Sequence, residues 1–232
     1  MRAPEKSFCF APQYNSPQKG HPLGTDGKVL LRHDATGAFH PYMSAFKKLY
    51  SQDGGEVATM MFDNNGEASG ILTKITHAIS HGPNGLDAVA YFGHGMPTSL
   101  HSAHIGVKQI PDFAATIRAN CRPGIRIVLY ACSSGRANHP GGCFASKLAA
   151  ELIDMQALVF GHNDPGHTTT NPHLYRYEGT KPGMPVAPPG LEKAFNRLIK
   201  AESIDAKPKG NTAFWARAPF MTDDEIKAEL GG

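Results

Sequence analysis

The sequence predicts an α/β chain built on a mostly parallel sheet, and three observations carry that expectation. Apolar runs bounded by glycine occur at Asp87–Phe92 and Ile125–Ala131, a pattern that suits strands covered on both faces. Segments of helical spacing lie between such runs, so strand and helix signals alternate, the order of a sheet sandwiched between helices. At 232 residues the chain is long enough for one sizeable core, and it shows no internal repeat.

The elements follow in order. Ser7 to Ala11 reads as a first strand, before a loop rich in Pro, Gly and Asn that runs to about Asp26. Lys28 to Leu31 reads as a further strand. His40 to Tyr50 has helical character, with Phe46 and Leu49-Tyr50 recurring at helix spacing. Gly54-Gly55 ends it, and Glu56 to Phe62 is a strand. Asn64-Asn65-Gly66 breaks the chain before a helix over Glu67 to Ser80, whose Ala68, Ile71, Leu72, Ile75 and Ile79 share one face.

A strand ending at His94 comes next, then a helix over Pro111 to Asn120 with proline in its first turn. Pro123-Gly124 leads into the strand ending at Cys132. Gly141-Gly142 precedes a long helix to about Met155, and Ala157 to Phe160 is another strand. Lys181 to Gly190 is proline-rich and reads as an exposed loop. A helix over Leu191 to Glu202, a tail with Trp215 and a final helix close the chain. Thr222 caps that last helix, with Asp223, Asp224 and Glu225 at the positive end of its dipole.

Composition excludes several classes of function. Hydrophobic content of 41% and charged content of 19% describe an ordinary globular protein. A net charge of +3, with no Lys/Arg block or aromatic-basic interleaving, argues against nucleic acid. Met1 to Lys6 lacks the apolar stretch of a secretory signal. No run reaches the roughly 18 apolar residues that span a bilayer. Cys9, Cys121, Cys132 and Cys143 contain no CxxC pair, which fits free thiols in a reducing, cytoplasmic setting.

The chemistry concentrates at two strand ends. Open α/β sheets bind ligands outside the carboxyl ends of their strands. Phe92-Gly93-His94-Gly95 and Tyr130-Ala131-Cys132-Ser133-Ser134-Gly135 release a His and a Cys at two such ends. One helix separates them, which is a single β-α-β crossover and predicts neighbouring strands. A Cys thiolate is a competent nucleophile when a His withdraws or stabilises its proton. Acyl transfer also needs donors for the oxyanion, and the N–H groups of Gly95 and Cys132 are the candidates.

Other readings are weaker. His94, His101, His104, His139, His162, His167 and His173 lie near predicted strand ends or loops, but no HExxH or cysteine pair accompanies them. No metal site is therefore expected. Gly141-Gly142 ahead of a helix resembles an anion-binding turn without any Walker pattern.

The two dyad segments resemble the His-Gly and Ala/Gly-Cys signatures of clan CD cysteine peptidases, the group of caspases, metacaspases, gingipains, separases and CHAT-domain proteases. Ser133-Ser134-Gly135 after the Cys is most similar to the separase and CHAT branch. So is Ala157-Leu158-Val159-Phe160-Gly161-His162-Asn163-Asp164, an apolar strand followed by an acidic loop. The resemblance spans roughly residues 28 to 178 and implies a caspase-like three-layer α/β/α sandwich. It implies Cys132 as nucleophile, His94 as general acid/base and an oxyanion hole that includes the Gly95 N–H.

Residues 1–27 are then an N-terminal strand and loop, and 28–180 the catalytic core. Residues 181–232 are a proline-rich loop and C-terminal helices packed on the same domain. Asp164 is a candidate partner for an Arg or Lys of the substrate. Tyr130, two residues before the nucleophile, occupies a position that shapes the specificity pocket in caspases and argues against a simple aspartate pocket.

The implied activity is a cysteine endopeptidase that needs no cofactor, acts on a protein or peptide substrate and answers to a regulatory protein partner. No nucleic acid or membrane partner is expected. Pro12 to Asp26 and Lys181 to Gly190 are candidate processing segments. An inactive caspase-like interaction module, a Cys-dependent amidase of small molecules and a zinc hydrolase are the alternatives.

Overall fold

The computed structural model describes residues 3–14, 39–52, 54–64, 67–166, 169, 171–201 and 213–231. The strand expected over Lys28 to Leu31 and most of the Pro12 to Asp26 loop lie outside them. The first half runs β1 (Lys6–Pro12), α1 (His40–Gln52), β2 (Glu56–Phe62), α2 (Ala68–Ser80), β3 (Leu86–Phe92), β4 (Ser99–Leu100), β5 (Ile105–Gly106) and α3 (Ile110–Asn120). The second half runs β6 (Cys121–Tyr130), α4 (Phe144–Glu151), β7 (Leu158–His162), β8 (Leu174–Glu178), β9 (Met184–Pro185), α5 (Glu192–Ala201), α6 (Phe214–Arg217) and α7 (Asp223–Glu229).

Among the described residues seven strands form one sheet in the order β2-β1-β3-β6-β7-β8-β9. The first five are mutually parallel, and β8 and β9 add an antiparallel edge. Strand alternation sorts the core into two layers. Phe8, Phe10, Val89, Tyr91, Ile127 and Leu129 pack with the apolar stripes of α2, α3 and α4. Cys9, Ala11, Ala90, Phe92, Val128 and Tyr130 pack with α1, α5, α6 and α7. The result is a three-layer α/β/α arrangement, with β1 drawn from the N-terminal segment into the interior of the sheet.

Two parts of the proline-rich stretch depart from an exposed loop. Val186 N–H donates to the Leu174 carbonyl at 2.9 Å, and Val186 and Ala187 are buried. Pro185 sits on the edge strand β9, a place in a sheet where the missing N–H costs no ladder bond. The helix expected to reach Met155 stops at Glu151, and a 3-10 turn over Ile153–Met155 follows, closed by Gln156 at φ +51°. At the other end of the chain Thr222 and Glu225 form a reciprocal capping box on α7, with Thr222 Oγ1 accepting from Glu225 N–H at 3.2 Å. Among the described residues no helix is long and apolar enough to cross a membrane.

The register of β3 and β6 positions the candidate site. Phe92 pairs with Tyr130, so both strands end level and their following loops leave the sheet side by side. Gly93 N–H closes the last rung on the Tyr130 carbonyl at 3.3 Å. At the opposite end Leu86 pairs with Cys121 but Ala88 with Arg126, so β6 carries extra residues around Pro123-Gly124 in a bulge.

Candidate active site

The loop after β3 holds His94 by its backbone. Tyr91 donates its phenol to the His94 carbonyl at 2.9 Å, and His94 N–H donates to Ser102 Oγ at 3.2 Å. Ser102 is fully buried and its own N–H reaches back to the His94 carbonyl at 3.5 Å. A Cβ on residue 93 would run into the Tyr91 hydroxyl, so glycine is required there. The imidazole meets the Phe39 ring edge to face, with centroids 5.1 Å apart.

The turn after β6 is held more tightly still. Ser133 adopts φ +54°, a left-handed conformation that costs a serine about 1 kcal/mol. Ser133 N–H donates to the Asp164 carbonyl (3.3 Å) and Gly135 N–H to the His162 carbonyl (2.9 Å). Buried Ser134 Oγ donates to the Ala131 carbonyl at 2.9 Å, and Tyr177 donates its phenol to the Gly135 carbonyl at 2.7 Å. The start of α4 joins both loops. Phe144 N–H donates to the Pro97 carbonyl at 2.6 Å and Ala145 N–H to the Ser134 carbonyl at 2.9 Å, which satisfies helix donors that have no intrahelical acceptor.

Gly95 is where the two loops touch. A Cβ built on it would lie 2.7 Å from Ala131 Cβ and 2.7 Å from the Cys132 carbonyl oxygen. Backbone donors around this contact are nearly all used: Gly93, His94 and Met96 on one loop, Ser133, Ser134 and Gly135 on the other. Among the described residues the N–H groups of Gly95 and Cys132 have no acceptor. Both residues are half-buried, so the two donors, on abutting loops, are open to an incoming acceptor and suit a developing oxyanion.

Cys132 is half-buried, and its thiol donates to the Gly166 carbonyl at 2.9 Å. The other three cysteines are buried. Burial pushes the Cys121 thiol up to about 12 and that of Cys9 higher, while Cys143 Sγ serves as the N-cap of α4.

Asp164 lies beside the Cys132 turn, since its carbonyl takes the Ser133 N–H. Its half-exposed carboxylate is 2.7 Å from His173 Nδ1 and accepts from Asn163 Nδ2 at 2.9 Å. Asn171 Nδ2 donates to the Asp164 carbonyl at 2.8 Å.

Tyr130 is a correction. It is expected to face substrate, but it is 1% exposed, stacks on Phe92 at 4.7 Å and donates its phenol to the Trp215 carbonyl at 3.3 Å. Strand alternation turns it toward α1 and α6 rather than toward the loops. Among the described residues no group of three or more His, Cys, Asp or Glu is placed to hold a metal ion.

Tyr91, Ser102, Tyr177, Asn171 and His173 position the two loops and are not singled out for that role by the sequence. Ser102 lies between His101 and Ala103, in a segment whose histidines draw attention first. Tyr91 and Tyr177 read simply as strand aromatics.

Comparison with solved structures finds gingipains. The complex of the Porphyromonas gingivalis RgpB pro- and mature domains matches at 15% identity and a TM-score of 0.41, covering 72% of this chain and 34% of that one. The Arg-specific cysteine proteinase gingipain R (RGPB) matches at 13% identity and a TM-score of 0.43, covering 98% and 44%. The chain thus spans less than half the length of either. No curated protein matches. The family profile described as "Domain of unknown function (DUF8616)" matches residues 57–172, a stretch that runs from β2 to the approach of β8 and contains both His94 and Cys132; the chain belongs to that family.

Proposed function

We propose that this chain is a caspase-like cysteine endopeptidase of the clan CD type. The observation that carries the reading is the contact of the two loops at Gly95, with the unpaired N–H groups of Gly95 and Cys132 beside a half-buried thiol. Cys132 Sγ attacks the scissile carbonyl carbon, and its proton passes to His94. The carbonyl oxygen, now an oxyanion, is held by the two N–H groups. Collapse of the tetrahedral adduct breaks the C–N bond as His94 protonates the leaving amine, leaving a thioester on Cys132. Water, deprotonated by His94, adds to the thioester and releases the acid and the thiol.

The thiol rests on the Gly166 carbonyl, so rotation about the Cys132 side chain precedes proton transfer to His94. The separase and CHAT resemblance of Ser133-Ser134-Gly135 belongs to this reading. Asp164 supports a basic residue before the cut, through a half-exposed carboxylate on the loop that abuts the Cys132 turn.

Two experiments test the reading. Iodoacetamide is expected to alkylate Cys132 fastest, with Cys9, Cys121 and Cys143 slow until the protein unfolds; equal rates for all four would remove the claim. A peptide library analysed by mass spectrometry should yield internal cuts that Cys132→Ala does not make. Release of ammonia from small amides without internal cuts would instead support the amidase. Neither reaction would leave the interaction module.

Gly95→Ala is a sharper probe of the oxyanion site. The added methyl must push the two loops apart, and loss of one donor is expected to lower kcat by about 10^2–10^3-fold with KM little changed. Steady-state kinetics on a cleaved peptide would measure it, and wild-type kcat would exclude Gly95 from the hole.

A further inference from the structure

At the end of the sheet opposite His94 and Cys132, the β6 bulge shapes a second recess. It is a cavity of about 400 Å³ walled by Arg122, Arg126, Asp87, Ile125, Phe220 and Pro4. The length of β3 separates it from the candidate active site, roughly 20 Å at about 3.3 Å per strand residue. The volume lies within the range of small-molecule sites.

The charges in this recess are unevenly matched. Arg126 is half-buried, with its guanidinium 5.7 Å over the Phe220 ring and one nitrogen donating to the Pro219 carbonyl at 3.1 Å. Among the described residues it has no carboxylate partner. Burial and the like charge of Arg176 both pull its pKa down, the sign of a cation placed where charge is poorly compensated. Arg122 is tied at the rim through a single nitrogen, Nη1, which reaches Glu5 Oε2 at 3.1 Å and Asp87 Oδ1 at 3.4 Å.

Asp87 is itself fixed by the N–H groups of Glu5 and Lys6, at 3.1 and 3.0 Å, so Arg122 is held to the rim by a braced carboxylate. A guanidinium offers five donors in a planar fork, and both arginines keep donors beyond the bonds named here. Ala3 and Pro123, the accessible apolar lining residues, supply apolar wall beside them.

We infer that this cavity binds a small organic oxyanion, its charged group held by Arg126 and Arg122 and its apolar body against Ala3 and Pro123. A cationic ligand would meet two guanidiniums, and a wholly apolar one would strip water from Arg126 without replacing it. The shared chemistry is an oxyanion on a compact apolar frame, with phosphate and carboxylate as its two sources.

Isothermal titration with phenyl phosphate and with benzoate, at low and high salt, tests this on wild type and on Cys132→Ala. Saturable one-to-one binding of at least one probe is expected, equal in both proteins and weaker at high salt. Phenyl phosphate alone would assign a phosphate ligand, benzoate alone a carboxylate, and both the oxyanion in general. Arg126→Lys keeps charge and stem but loses the fork, and Arg122→Gln removes an exposed charge; each is expected to weaken binding about tenfold. Absence of saturable binding, or affinity unchanged in both arginine variants, overturns the inference without touching the peptidase reading.

Discussion

Cys132→Ala is expected to lower peptide turnover by at least about 10^4-fold while leaving the fold intact. The size of the loss follows from chemistry. An alanine has no nucleophile, and what survives comes from the oxyanion donors and substrate positioning alone. The fold should survive because Cys132 is half-buried and makes one side-chain hydrogen bond, to the Gly166 carbonyl. Losing that bond costs about 1 kcal/mol, a shift of about 2–4 °C in Tm for a chain of this size. Cys132→Ser should be almost as inactive, since a hydroxyl is a far poorer nucleophile near neutral pH.

His94→Ala should match Cys132→Ala, and the double variant should be no worse than either single one, because groups that act as a unit are not additive. Kinetics of all three beside their melting curves would decide the matter. Activity above about a tenth of wild type in Cys132→Ala, or multiplicative losses in the double variant, would contradict a dyad.

The residues of this site differ in how plainly the sequence displays them, and the reason is physical. Burial on both sheet faces writes β3 and β6 as unbroken apolar runs, so the positions where they end are visible. The helix between them fixes the crossover, and adjacency of the two strands follows. Nothing local says that β1 lies between β2 and β3, because pairing across a sheet is a long-range choice.

The antiparallel edge is hidden for a related reason. Leu174–Glu178 carries a weak alternation, and Met184–Pro185 is two residues inside a proline-rich stretch, so the first depends on β7 and the second on β8 to exist as a strand. The ties that position His94 are hidden most deeply. Tyr91 to the His94 carbonyl and Ser102 to the His94 N–H are side-chain to backbone bonds, which leave no periodic trace. Tyr130 shows the opposite failure. Alternation along β6 puts it on the face shared with Val128, and the packing of α1 and α6 shows which elements roof that face.

Gly161→Ala should be strongly damaging for a single added methyl. Gly161 lies on β7 with no left-handed φ, so backbone freedom gives it no reason to be glycine. On that ground alone alanine would stabilise by about 0.4–1 kcal/mol, through the unfolded chain. Sterics oppose this. A Cβ there would lie 2.8 Å from Gly135 N and 2.9 Å from Ser134 Oγ, and one on Gly135 would fall inside the Gly161 carbonyl.

The two glycines therefore bring the Cys132 turn into backbone contact with β7, and neither partner is a flexible side-chain end that can swing away. Overpacking of this kind costs about 3 kcal/mol, which outweighs the entropic gain. It also stretches the Gly135 N–H bond to His162 and the Tyr177 bond to Gly135, displacing Cys132 even in molecules that stay folded. Urea unfolding and kinetics should show both losses together, at temperatures well below Tm. Gly70 on α2 is the control, since a Cβ there meets nothing within 4 Å. Gly70→Ala should stabilise by up to about 1 kcal/mol through helix propensity and leave activity alone. If Gly161→Ala behaved like Gly70→Ala, the contact with β7 would not be what sets the turn, and the left-handed Ser133 would need another restraint.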